Sequence, residues 1–173
     1  IEKEAVIDKE LVKSMRLDPL AVYQSPDNDI VYELSSELDV KSYQPDFLLM
    51  KSLTKRIHII TAKADGSNAE DTIGSKDNKS SYDIISRVFA PSAGIDEDPA
   101  TGIAHCILAP LWCEKLNKNK INSYQASARG GFFECQLKES NTGIDDRDNT
   151  DNSEGRVLLM GEAKLVLKGA FYG

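Results

Sequence analysis

The segment from Gly102 to Lys115 limits what this chain can fold into more than any other stretch. Ile103, Ala104, Cys106, Ile107, Leu108, Ala109, Leu111, Trp112 and Cys113 leave almost no polar face. A helix that is apolar all round is buried in a core or lies in a membrane. The run is too short to span a bilayer, which needs about 20 apolar residues, and Glu114 and Lys115 close it. The sequence therefore predicts a central helix that other elements wrap. Pro110 inside it removes one ladder hydrogen bond and predicts a kink about one turn back.

The residues in front of this helix suggest chemistry. Glu97, Asp98, Pro99 and Gly102 lead directly into it. Amides at a helix start have no intrahelical partner, and the macrodipole places partial positive charge there, so a carboxylate or phosphate is the natural guest. Gly102 stands where a side chain would block that guest; its alternative role is a tight turn. Asp98 beside such a site reads as a proton-handling group, or as a carboxylate capping the helix, which on pattern alone is the commoner use. Glu97 has the weaker claim, because an acidic residue before a helix is often solvated and favoured by the dipole.

Other titratable residues are sparse. His105 could act as an acid or base at neutral pH, but a lone His on an apolar helix reads first as a hydrogen-bonded core residue. His58 lies in a predicted strand near nothing recognisable, and two His with three dispersed Cys assemble no metal site. Cys106 and Cys113 share a helix face as small buried hydrophobes, with no cation placed to activate a thiol. Arg129, in Ser127-Ala-Arg-Gly-Gly131, reads equally as a bidentate carboxylate ligand and as half of a structural ion pair with an acidic residue near the central helix.

Along the chain, Asp8 to Leu17 predicts a short helix capped by Asp8. Ala21 to Tyr23 and Ile30 to Leu34 are strands joined by the turn Ser25-Pro-Asp-Asn-Asp29. Pro45 opens a second short helix through Leu53, and Arg56 to Ala62 is a strand. The polar stretches at about 65–80 and 138–154 read as exposed loops within one domain. Strands follow at Ile121 to Ala126, Phe132 to Cys135, Arg156 to Met160 and Glu162 to Lys168, with Arg129-Gly130-Gly131 marking a bend or close backbone approach. Strands and helices without regular alternation predict an α+β fold, a mixed sheet rolled around the central helix.

Net charge narrows the partners. With 28 acidic against 21 basic residues the chain carries −7, which disfavours nucleic-acid phosphates. Three cysteines without paired spacing suggest a reducing cytoplasm over a disulfide framework. No signal peptide, lipidation motif or membrane-length apolar run is present in the sequence.

Several of these residues together carry a family resemblance. Arg87-Val-Phe-Ala-Pro91, Glu97-Asp-Pro-Ala-Thr-Gly-Ile-Ala-His105, Tyr124-Gln-Ala-Ser-Ala-Arg-Gly-Gly131, and Gly155-Arg-Val157 with Gly161-Glu-Ala163 resemble, in order and spacing, the C-terminal half of a phenazine biosynthesis PhzF-like protein. The resemblance is sharp from about Ser81 to Gly169. It implies one lobe of a two-lobed, diaminopimelate-epimerase-like fold with the active site between lobes. Such proteins are similar to cofactor-independent isomerases and epimerases, in which a Glu of the N-terminal lobe, near a Gly-Asn-Pro motif, moves a proton on a small carboxylic acid.

No such motif occurs in this chain, and it begins at Ile1. The resemblance therefore implies a single C-terminal lobe over 1–173, inactive alone, whose partner is an N-terminal lobe in the same or another chain, or a second copy in a homodimer. Within the lobe it implies that Asp98 faces the substrate, with Gly102, Ile103, Thr101 and Arg129 contacting it, and it implies no cofactor and no metal. Ile103 replaces the family's usual Ser, keeping the amide but losing a hydroxyl. Thr101 stands where related epimerases carry a catalytic Cys, here with no base beside it. The alternative is a non-catalytic binding or assembly module.

Overall fold

A computed structural model describes residues 2–3, 9–53, 56–66, 81–138 and 155–161 of the chain. Among them, eight strands form one mixed sheet whose spatial order follows the sequence. They are β1 (Glu2–Lys3), β2 (Ala21–Gln24), β3 (Ile30–Glu33), β4 (His58–Lys63), β5 (Ile84–Phe89), β6 (Lys120–Gln125), β7 (Gly131–Lys138) and β8 (Arg156–Met160). The helices are α1 (Lys9–Ser14), α2 (Glu37–Ser42), α3 (Phe47–Leu53) and α4 (Gly102–Leu116), with a 3-10 turn at Pro91–Ala93. The sequence-based α+β expectation holds.

Five of the seven strand pairings are antiparallel; β3 with β4 and β5 with β6 are parallel. Each parallel pair needs a crossover, and crossovers are almost always right-handed. Because β4 and β5 run in opposite directions, two right-handed crossovers must lie on opposite faces of the sheet. The packing agrees. Tyr32, Val40, Met50, Ile60 and Phe89 form one core around α2 and α3, and Val31, Ile59, Val88, Leu108, Trp112 and Ile121 form the other around α4.

The cluster around α4 draws side chains from β2 through β8, so one face of the sheet packs on this helix. The wrapping is one-sided. Ile103, Cys106 and Pro110 are exposed, spaced along one stripe of α4. That corrects the expectation of a helix enclosed on every side, and it corrects the paired burial of the two cysteines, since Cys113 is buried and Cys106 is not. The helix also runs through Pro110 without a break, from Gly102 to Leu116. Asn117, in the left-handed region at φ 52, ends it by donating its N–H to the Cys113 and Glu114 carbonyls.

Beneath α4 a row of buried polar residues crosses four strands. Register pairs Glu33 with Thr61, Thr61 with Ser86, and Ser86 with Gln125. The helix is bonded to this row at three points. Lys115 Nζ meets both Glu33 carboxylate oxygens at 2.7 Å, Trp112 Nε1 donates to Thr61 Oγ1 at 3.1 Å, and the Thr101 amide donates to Gln125 Oε1 at 2.8 Å.

Smaller departures have local causes. α1 is shorter than Asp8 to Leu17, because Arg16 turns into the left-handed region at φ 55; Asp8, the expected cap, lies outside the described residues, as does the expected strand at Glu162 to Lys168. The predicted hairpin forms, with Asn28 at φ 68 and the Asp29 N–H donating to Ser25 Oγ at 3.0 Å. Helix α2 was not legible in the pattern; Ser36 caps it, its hydroxyl accepting from the Asp39 N–H at 3.1 Å.

Candidate active site

The segment between β5 and α4 is folded back on the sheet. Ala90 and Ile95 form a β-bridge, and the Asp98 N–H donates to the Val88 carbonyl at 2.9 Å. Arg87 clamps the loop from the other side of β5. Its guanidinium meets Glu97 with two parallel bonds of 2.7 and 2.9 Å and donates to the Tyr43 carbonyl at 2.7 Å. A bidentate pair of this kind fixes orientation as well as distance. Glu97 is thereby anchored to the sheet.

Asp98 is half-buried and does not cap α4. The residue before the first helical position is Thr101, extended at φ −116 and ψ 102, and no side chain caps the amides that follow. The Thr101 hydroxyl instead turns backward and donates to Asp98 Oδ2 at 2.5 Å. The capping reading of Asp98 is corrected on this geometry: the helix begins too late for the Asp98 carboxylate to serve it.

Gly102 opens α4 with no positive φ, so its conformation does not call for glycine, and the tight-turn alternative fails. A Cβ built there would meet only Leu159 Cδ1, at 3.8 Å, an ordinary contact. Packing does not require glycine either. A side chain there would take up space at the uncapped helix start. Ile103, next along, is 53% exposed and presents an apolar surface beside that space.

The second motif holds the first in place. Gly131 lies against the loop so closely that a Cβ would approach Ala100 Cβ to 3.1 Å, and Ser127 Oγ donates to the Pro99 carbonyl at 2.8 Å. This is the close backbone approach the paired glycines predict. Arg129 sits at the exposed tip of the same turn, and among the described residues nothing pairs with it.

Thr101 is buried and its polar groups are all engaged inside the chain. Its amide goes to Gln125, its carbonyl to His105 Nδ1 at 2.8 Å, and its hydroxyl to Asp98. His105 is the core residue that its surroundings suggested. It is fully buried, stacked on Phe133 at 3.9 Å between centroids, with Nε2 against Ser123 Oγ at 2.9 Å. Burial lowers its pKa, opposed by the bond to Thr101, so the neutral ring donates through Nδ1 and accepts through Nε2.

Sequence reasoning passed over Gln125. It is fully buried, and its Nε2 donates to the Asp98 carbonyl at 2.6 Å and to Thr101 Oγ1 at 3.1 Å. The one signal available was its place two residues before Ser127 in the second motif. Among the described residues no group of three His, Cys, Asp or Glu could hold a metal, and no helix is long and apolar enough to cross a membrane.

The mixed sheet thus sets one half-buried carboxylate, Asp98, beside an uncapped helix start at Gly102. The chain belongs to the phenazine biosynthesis-like (PhzC-PhzF) family, which matches residues 2–169. It is 36% identical over 167 residues to an uncharacterized isomerase of Halalkalibacterium halodurans, covering 96% of this chain and 52% of that protein. An uncharacterized isomerase of Pseudomonas aeruginosa is 38% identical over 160 residues, covering 92% and 49%. The crystal structure of a PhzF-family phenazine biosynthesis protein from Enterococcus faecalis superposes with a TM-score of 0.65 at 32% identity, over 80% of this chain and 47% of that one. The chain thus spans about half the length of these relatives.

Proposed function

We propose that this chain is the C-terminal, diaminopimelate-epimerase-like lobe of a cofactor-independent isomerase that moves a proton on a small carboxylic acid. The relatives' description as isomerases and the family membership support the reaction class. The observation that carries the reading within the chain is Gly102, a helical glycine that neither conformation nor packing explains, at an uncapped helix start beside Asp98.

In this reading the substrate carboxylate accepts hydrogen bonds from the amides of Gly102 and Ile103, where the helix dipole favours it. Arg129, exposed and unpaired among the described residues, approaches from the turn that buttresses the loop and adds a charge-assisted contact. Asp98 gives or takes the proton, its orientation set by the Thr101 hydroxyl; Thr101 therefore serves through Asp98 and not by touching substrate. The second proton-handling group is a Glu contributed from outside these 173 residues, by an N-terminal lobe in the same or another chain. Two groups on opposite sides of a carbon are what a proton transfer between faces or positions requires. The 173-residue chain by itself is accordingly inactive.

The test is solvent exchange. The protein carrying both lobes, incubated with a panel of small carboxylic acids in deuterated water, should place deuterium on carbon in at least one of them. Asp98→Asn should slow that exchange by about a hundredfold or more. Exchange that survives the substitution, or turnover by the 173-residue chain alone, removes Asp98 or the split-site reading respectively. Ile103 supports a second reading. An exposed Ile where the family's usual Ser would offer a hydroxyl suits a lobe that binds an acid, or assembles with another chain, without turning anything over; saturable binding with no exchange would establish it.

A further inference from the structure

We propose that Gln125 is the positioning residue of this site: its side-chain amide fixes which way the Thr101 hydroxyl points and thereby holds the Asp98 carboxylate in one orientation. The proposal rests on the reading of Asp98 as the proton-handling group. Gln125 reaches its partners from the end of β6, 24 and 27 residues away in sequence. Its amide is used in full. Oε1 accepts the Thr101 N–H, while Nε2 donates one hydrogen to the Asp98 carbonyl and the other to Thr101 Oγ1.

This set of partners admits one orientation of the amide. Flipped, Oε1 would face a carbonyl and a hydroxyl oxygen, and the NH2 would face an N–H. Because Nε2 can only donate, Thr101 Oγ1 must accept from it through a lone pair. The single hydroxyl hydrogen is then left for Asp98 Oδ2, at 2.5 Å. Donation therefore runs one way, from amide to hydroxyl to carboxylate. The amide and hydroxyl lie under cover, Gln125 fully buried and Thr101 7% exposed, where water is a poor substitute for a missing partner; Asp98, at the end of the relay, is half-buried.

The same side chain bonds both ends of the segment. The Asp98 carbonyl and the Thr101 amide are three residues apart and converge on one amide group, so the 98–101 turn is closed from inside the sheet. Packing alone would be met by Met or Leu at position 125. Those residues would leave the Thr101 N–H and the Asp98 carbonyl without that partner and the hydroxyl free to rotate. Glu would keep an acceptor for the Thr101 N–H. At neutral pH it would also offer lone pairs to the Thr101 hydroxyl, which would then have two carboxylates competing for one hydrogen.

The experiment is carbon- and nitrogen-detected NMR on the full chain, at one neutral pH, reading the Asp98 carboxyl carbon and the Gln125 side-chain amide. Backbone signals of Lys115 at the far end of α4 and the melting temperature serve as controls for the fold. In Gln125→Glu and Gln125→Met the Asp98 carboxyl signal should move while Lys115 stays. In Gln125→Met the Thr101 amide should also exchange about tenfold faster or more. Thr101→Val, which removes only the hydroxyl, should shift both the Asp98 carboxyl and the Gln125 amide, and Thr101→Ser should restore both.

An unmoved Asp98 signal in a folded Gln125 variant overturns the proposal and leaves Gln125 a packing and backbone-holding residue. If neither Gln125 variant folds, the Thr101 pair decides: the proposal falls if Thr101→Val leaves the Gln125 amide or the Asp98 carboxyl in place. None of these signals depends on turnover. Asp98→Asn in the exchange assay reports separately on whether the carboxylate works, so either reading can fail without the other.

Discussion

Replacing Gly102 with Ala should leave the protein as stable or more stable while removing its ability to hold a carboxylate at the start of α4. The new methyl would meet only Leu159 Cδ1 at 3.8 Å, so no clash opposes it. Inside a helix Ala is favoured over Gly by about 0.8–1.0 kcal/mol, partly because Gly has more freedom to lose on folding. At the first helical position about half of that applies, or about 0.5 kcal/mol. For a chain of this size that corresponds to a rise of about 1–2 °C in melting temperature. In the proposed site the same methyl adds bulk at the first residue whose amide would receive the carboxylate. Calorimetric unfolding and titration with whichever acid passes the exchange screen measure the two effects on one sample. Two results would refute the reasoning. A fall of more than about 2 °C would mean the space at Gly102 is needed for packing, and unchanged affinity would mean it is not where the acid binds.

Three other expectations test the scaffold. Burial holds the His58 pKa down to about 4 against its usual 6.5, so between those values the unfolded chain takes up a proton that the native state refuses. Stability is full above pH 6.5 and falls as pH drops through the window, by about 3 kcal/mol at most. Urea unfolding across pH 7 to 4 should show that slope, and His58→Phe should reduce it, the remainder coming from His105, whose pKa burial also lowers; a flat wild-type profile rules the assignment out. Glu97→Gln leaves Arg87 half-buried without its charge partner and should cost about 2–4 kcal/mol in denaturant unfolding, with a loss below about 0.5 kcal/mol counting against a clamp role. Burial also pushes the Cys135 thiol up to about 12 and raises that of Cys113. A thiol reagent at neutral pH should therefore label native protein once, at exposed Cys106, and rapid labelling of three thiols would contradict the packing.

The extent to which the sequence announces this structure varies with how local each cause is. Helix α4 was legible because a run without polar residues has few other fates, and the two glycines at 130 and 131 because backbone contact leaves little choice of residue. Helix α2 was not. Its inward face carries Glu37, a buried carboxylate tied to Tyr82 at 2.5 Å and to Lys41 at 2.7 Å, and a charged residue turned inward defeats a pattern that assumes polar residues face out. At the site, Asp98 and Gly102 stand out within one contiguous motif. Gln125 does not, since its partners are 24 and 27 residues away and a glutamine has no distinctive local pattern. Arg87 and Glu97 were both within recognised motifs, yet their pairing depends on how the loop folds back over β5, which no spacing rule supplies. The direction of the Thr101 hydroxyl has the same origin: it could turn forward to the helix or backward to Asp98, and only the folded loop decides.

An apolar helix resting on an apolar sheet meets little resistance to sliding along its own axis, because one oily contact exchanges for another. The row Glu33, Thr61, Ser86 and Gln125 removes that freedom from α4. A shift of one helical turn, about 5.4 Å, would break the bonds from Lys115, Trp112 and Thr101 together and strand a carboxylate in the core. The axial position of α4, and with it the location of the Gly102 amides, is thus indexed from its far end, 13 residues away. Substitutions at Glu33 or Lys115 should consequently displace the start of α4 as well as cost stability.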